Sequence, residues 1–91
     1  MDRHALEFSL RAASARVALG AQALLKQRQH IRELERYGLD SGTAKALLRQ
    51  YEQSQAMNLF DRDCFRQALE HEADSSEYDA FDLYYLDRKA A

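Results

Sequence analysis

Apolar and small side chains recur along the first part of the chain at alternating spacings of four and three residues. This is the spacing of the a and d positions through which one long helix packs against another. It predicts a first helix over residues 2–37, about 50 Å long at 1.5 Å per residue. We call these positions the seam, and in this helix they are Leu6, Leu10, Ala13, Val17, Gly20, Leu24, Gln27, Ile31 and Leu34.

The same spacing returns after a short break and predicts a second helix over residues 42–73. Between the two helices, Gly38 fits the left-handed residue that ends a helix. Asp40 or Ser41 can accept hydrogen bonds from the free amides that open the next helix. The seam of the second helix consists of Ala44, Leu48, Tyr51, Gln55, Asn58, Arg62, Phe65 and Leu69.

A turn this short makes the two helices antiparallel. Polar residues then meet in the middle of the seam, where Gly20 makes space for Asn58 and Gln27 can bond to the Tyr51 hydroxyl. Buried polar residues at such positions commonly set the register of two helices. The predicted pairs are Leu34 with Ala44, Ile31 with Leu48, Gln27 with Tyr51, Gly20 with Asn58, Val17 with Arg62 and Ala13 with Phe65.

A third helix is predicted over residues 77–89, because Asp74, Ser75 and Ser76 favour a helix start. Its Tyr and Phe residues also favour β structure, so a strand or an extended tail is the alternative. The predicted fold is a single all-α domain over residues 1–91. It is a long antiparallel helical hairpin with a short C-terminal helix, forming a small bundle or a dimeric bundle.

Each long helix carries a second apolar stripe away from its seam, and one hairpin cannot bury both stripes. Both stripes lie in the half of the hairpin away from the turn, where the aromatic C-terminal segment begins. Self-association or packing of that segment is therefore expected. The candidate partner-binding residues are Phe8, Leu19, Met57, Phe60, Tyr78, Phe81, Tyr84 and Tyr85.

Charge is distributed unevenly along the 91 residues, although the net charge is only −2. Residues 8–32 hold five basic residues and no acid, whereas residues 70–91 hold seven acids and two basic residues. The basic residues spread over a broad arc of the first helix without interleaved aromatics, which disfavours nucleic-acid binding. The acidic aromatic segment could instead bind a basic protein partner.

Residues with catalytic or metal-binding chemistry do not form a recognisable motif. Cys64 lies two helical turns from His71, without a third group to orient the pair. The glutamates that a di-iron bundle needs three residues before each histidine are replaced by Ala68 before His71 and by Gln27 before His30. We therefore predict a protein that is not an enzyme and has no cofactor or metal. A single cysteine and short apolar runs predict a cytoplasmic protein without a membrane span.

The residues around the turn resemble a group of short helical-hairpin proteins of unknown function from rhizobia and related alphaproteobacteria. The likeness extends from about Arg16 to Leu69. Arg16, Leu39 and Ser41 stand where that group has His, His and Thr. The resemblance implies a hairpin and a bacterial cytoplasmic origin, and it assigns no site residue. The residues that carry it are Gln27, Ile31, Leu34, Glu35, Gly38, Asp40, Ser41, Ala44, Leu47, Leu48, Tyr51, Glu52, Asp61 and Arg62.

The pattern as a whole predicts a non-enzymatic helical protein–protein interaction or regulatory module that self-associates. One alternative is a small phage- or mobile-element-type inhibitor whose acidic aromatic tail occupies a nucleic-acid-binding partner. A second alternative is a nucleic-acid-binding helical dimer, which requires the basic arc of the first helix to align across two chains.

Overall fold

The computed structural model describes residues 2–77, and the side chains of residues 2–72. Two helices account for most of these residues: α1 spans Arg3–Arg36 and α2 spans Gly42–Glu77. They pack against each other as an antiparallel hairpin, and no strand occurs within residues 2–77. The predicted all-α hairpin is confirmed.

The start of α1 is fixed by Asp2. Its carboxylate accepts a hydrogen bond from the Ala5 amide at 2.7 Å, and its carbonyl oxygen accepts one from the Leu6 amide at 3.0 Å. An aspartate at this position satisfies an amide that has no partner within the helix. The first helix therefore begins one residue after the predicted boundary.

Gly38 ends α1, as the sequence predicts. It has a φ of 69°, the left-handed conformation that glycine adopts without a steric penalty. The Gly38 amide donates to the Glu35 carbonyl at 3.1 Å, and the Leu39 amide donates to the Leu34 carbonyl at 2.8 Å. These two bonds form a Schellman motif, which pairs carbonyls at the end of a helix.

Asp40 and Ser41 complete the turn and start α2. The Asp40 carboxylate accepts a hydrogen bond from the Gly42 amide at 2.9 Å. The Ser41 carbonyl accepts the first bond of the new helix, from the Lys45 amide at 2.8 Å. Ser41 is buried, so the turn itself contributes a residue to the interface between the helices.

The end of α2 differs from the prediction. The helix passes through Asp74, Ser75 and Ser76 without a break and extends to Glu77, four residues beyond the predicted end. Residues of this kind favour helix starts when other signals agree, but they do not force one. The rest of the predicted third helix, residues 78–89, lies outside the described residues.

The seam positions are as predicted, and every one of them is buried or half-buried in both helices. Among residues 2–72 only four apolar side chains are buried, and two of them are alanines. They are Leu6, Ala13, Ile31 and Ala44.

Replacing Gly38 with alanine is expected to destabilise the hairpin by about 1–2 kcal/mol, because a Cβ is unfavourable at a φ of 69°. Gly42→Ala is the control, since Gly42 does not have a positive φ. Urea denaturation, monitored by circular dichroism, measures the change in the free energy of unfolding for each variant. Equal effects at the two glycines would contradict the role assigned to Gly38.

Candidate functional site: a polar seam and an apolar flank

The centre of the seam is a polar contact between Gly20 and Gln55. A Cβ built at Gly20 would overlap the Gln55 carboxamide, with the carboxamide carbon 2.7 Å away. Gln55 is only 8% exposed, although its side chain ends in a polar carboxamide. Gly20 therefore provides the space in which the Gln55 side chain lies.

Gln55 uses this space to reach the backbone of α1. Its Nε2 donates to the Val17 carbonyl at 2.8 Å, and its Oε1 accepts from Asn58 Nδ2 at 3.2 Å. Asn58 Nδ2 also lies 3.5 Å from the Arg16 carbonyl. Arg16 and Val17 precede Gly20 by four and three residues. Because helical side chains tilt toward the N-terminus, a larger residue at position 20 would cover these two carbonyls.

A second polar contact lies nearer the turn. Gln27 Nε2 donates to the Ala44 carbonyl at 2.9 Å. The predicted bond from Gln27 to the Tyr51 hydroxyl is therefore wrong. Both glutamines bond to main-chain carbonyls of the other helix, which accept a second hydrogen bond through a free lone pair.

The predicted pairing is also wrong in register, by one layer of the seam. Gly20 faces Gln55, whereas the prediction placed Asn58 opposite Gly20. The prediction began the pairing with Leu34 beside Ala44. In the structure Ser41 is buried ahead of Ala44 and supplies an additional layer, which shifts α2 along α1. The placement of Gly20, Gln27 and Asn58 at the seam is confirmed.

One edge of the seam carries ion pairs between the helices. Lys45 Nζ lies 3.0 Å from Glu35 Oε2, and Arg28 Nη2 lies 3.7 Å from Glu52 Oε2. All four side chains are about half exposed, so each pair contributes at most about 1 kcal/mol. Each of these residues directly follows a seam residue, which places all four on the same edge of the hairpin.

The outer faces of the two helices carry the apolar stripes. Each stripe is rotated from its seam by well over 90°, at 3.6 residues per turn, and therefore points away from the other helix. We call the two stripes together the apolar flank. It consists of Phe8, Ala12, Ala15 and Leu19 of α1 and Met57, Phe60, Cys64 and Ala68 of α2.

The four large side chains of the apolar flank are strongly exposed. The exposed fractions are 67% for Phe8, 65% for Leu19, 62% for Met57 and 63% for Phe60. An open groove of about 310 Å³ continues from Leu19 toward the seam at Tyr51. The other candidate partner-binding residues, Tyr78, Phe81, Tyr84 and Tyr85, lie outside the described residues.

The basic arc of α1 does not form a uniform positive surface. Arg28 is paired with Glu52, and Glu33 lies beside Arg32 and Arg36 in a shallow depression on the outer face. The three histidines and Cys64 are exposed. Within the described side chains, no three His, Cys, Asp or Glu residues are grouped so that they could hold a metal ion.

Comparison with protein-family models, with curated proteins and with solved structures found no significant match. Neither described helix has an apolar stretch long enough to cross a membrane.

Among the functional residues, Gln55 was placed in the seam by its spacing, but its role was missed. The sequence offered one clue to this role, since a glutamine at one seam position can fill the space opposite a glycine at another. Using that clue requires the correct register, and the prediction had the wrong register because it did not include Ser41 in the seam.

Gly20→Ala is expected to destabilise the hairpin by about 1–3 kcal/mol, because the added methyl group overlaps the Gln55 carboxamide. In a Gln55→Ala background the same substitution should instead stabilise by about 0.5–1 kcal/mol, since alanine is the better helix former. Urea midpoints of the four proteins in this double-mutant cycle give both values. If Gly20→Ala costs the same in both backgrounds, the contact with Gln55 is not what makes glycine necessary.

Proposed function

We propose that the chain is a non-enzymatic helical interaction module that binds through its apolar flank and self-associates. The observation that supports this most directly is the exposure of Phe8, Leu19, Met57 and Phe60 on the outer faces of the two helices. Stripes of exposed apolar side chains are a common feature of protein interaction sites.

The area of the apolar flank suits association between chains. A side chain as large as Phe has roughly 150–250 Å² of surface, so the four large residues expose on the order of 450 Å² per chain. Covering both stripes in two chains would remove about 900 Å² from water, and the neighbouring alanines increase this figure. Specific interfaces bury at least about 1,000 Å² in total.

The modest core supports the same proposal. Among residues 2–72 the buried apolar side chains are Leu6, Ala13, Ile31 and Ala44, two of which are alanines. Small folds whose own core buries little apolar surface commonly gain stability from oligomerisation. Binding through the apolar flank would bury large side chains that the seam leaves in water.

Substitution of Leu19 by glutamate tests the proposal. A buried, unpaired carboxylate is costly, so Leu19→Glu should weaken self-association at least tenfold. The matched control is Leu25→Glu. Leu25 lies on the same helix and is 56% exposed, close to the 65% of Leu19, but it is outside the apolar flank. Sedimentation velocity across a range of protein concentrations measures the mass of each protein.

The proposal predicts a wild-type mass of at least two chains, a lower mass for Leu19→Glu and the wild-type mass for Leu25→Glu. A wild-type protein that stays monomeric at about 100 μM contradicts self-association. Equal effects of the two substitutions would show that the apolar flank is not the interface.

A further inference from the structure

The residues that border the α1 stripe are positively charged. Arg11 directly precedes Ala12 and Arg16 directly follows Ala15, so one arginine stands on each side of the stripe. Both arginines are exposed, and neither forms an ion pair with another of the described side chains. Residues 8–32 contain no acid, so α1 itself places no negative charge beside its stripe.

The α2 stripe is bordered by aspartates in the corresponding places. Asp61 directly follows Phe60, and Asp63 directly precedes Cys64. Asp61 is half-buried and forms no ion pair within residues 2–72. The Asp63 side chain is 52% exposed, and its contacts with two neighbouring arginines of α2 both use Oδ1, which leaves Oδ2 available.

The ion pairs beside the seam show which edges of two antiparallel helices meet. The residues of both pairs directly follow seam residues, and they meet on one edge of the interface. By the same geometry, a second copy whose α2 stripe packs antiparallel on the α1 stripe brings its Asp61 to Arg16 on one edge. It brings its Asp63 to Arg11 on the other edge.

Contact between two identical stripes would instead bring like charges together. Two α1 stripes would place four guanidinium groups around one contact, and two α2 stripes would place four carboxylates there. Like charges that face each other across an interface are unfavourable. The border charges therefore favour contact between unlike stripes.

The sizes of the side chains fit the same contact. The hairpin places residue 20 level with residue 55. A second copy at the same height therefore sets its Phe60 beside Ala15 and its Ala68 beside Phe8, to within one residue. Each phenylalanine then meets an alanine, and large residues packed against small ones allow two helices to interdigitate.

We propose that this chain assembles head to tail, with the α1 stripe of one copy packed on the α2 stripe of the next. Such a contact joins different surfaces of the two copies, and contacts of this kind form rings or open filaments. Two hairpins that closed on each other as a four-helix ring would need faces about 90° apart in every helix. The stripes are rotated from the seams by well over 90°, so a pair of hairpins leaves one stripe of each copy uncovered and further copies add. This inference rests on the proposed function and adds the surface that each stripe binds.

Reversal of the border charges tests the pairing of the stripes. The α1 variant carries Arg11→Glu and Arg16→Glu, and the α2 variant carries Asp61→Lys and Asp63→Lys. Each variant alone opposes like charges, so each should self-associate at least tenfold more weakly than the wild type in about 50 mM salt, where screening is weak. In an equal mixture, contacts between the two variants again join opposite charges, so the mixture should regain the wild-type mass. Sedimentation velocity at protein concentrations up to about 100 μM measures the mass of each sample.

The matched control for the α1 variant is Arg32→Glu with Arg49→Glu. It makes the same change in net charge at two exposed residues outside both stripes, and it should keep the wild-type mass. Circular dichroism checks that every variant is helical. If the α2 variant is not, Asp61→Lys alone replaces it, since this substitution leaves the contacts of Asp63 in place.

Weakened association of both variants that is restored by mixing, together with a wild-type mass above two chains, supports the proposal. Weakened variants that mixing does not restore overturn it. If both variants keep the wild-type mass while Leu19→Glu lowers it, the pairing of unlike stripes is wrong and self-association through the apolar flank stands. A wild-type mass that stops at two chains likewise overturns only the head-to-tail assembly. A wild-type mass of one chain overturns both this inference and the proposed self-association.

Discussion

The hairpin depends on the contact in which the Gln55 side chain fills the space left by Gly20. An apolar seam alone tolerates a shift of one layer, since one aliphatic pair can replace another at little cost. A buried carboxamide does not tolerate it, because its donor must reach the Val17 carbonyl and its tip needs the space left by Gly20. Gln55 therefore fixes how far α2 is shifted along α1, and every other contact between the helices follows from that position.

The same register gives the two sides of the hairpin different characters. On one edge it brings Glu35 to Lys45 and Arg28 to Glu52. It leaves Phe8 and Leu19 of α1, and Met57 and Phe60 of α2, exposed on the outer faces of the helices. We propose one explanation for the modest core and the exposed apolar stripes, which is that the hairpin completes its burial of apolar residues by binding.

The helices, the turn and the seam could be predicted from sequence because each depends on local signals. The spacing of apolar residues identifies the seam, and Gly38 and Asp40 act within a few residues of their own position. The register could not be predicted in this way, because it depends on contacts across the interface, namely the Gln55 side chain beside Gly20 and the burial of Ser41. The end of α2 was also missed, since Asp74, Ser75 and Ser76 are compatible with both a helix start and a helix interior.

The apolar flank shows the same division between local and long-range information. Phe8, Leu19, Met57 and Phe60 could be recognised from sequence as residues outside the seam, and their exposure agrees with that interpretation.

The most direct test of the central claim, that folding of the hairpin is completed by association, is the urea midpoint of the wild-type protein over a hundredfold range of protein concentration. Coupled folding and association predict a midpoint that rises with protein concentration. A midpoint independent of concentration would contradict the account.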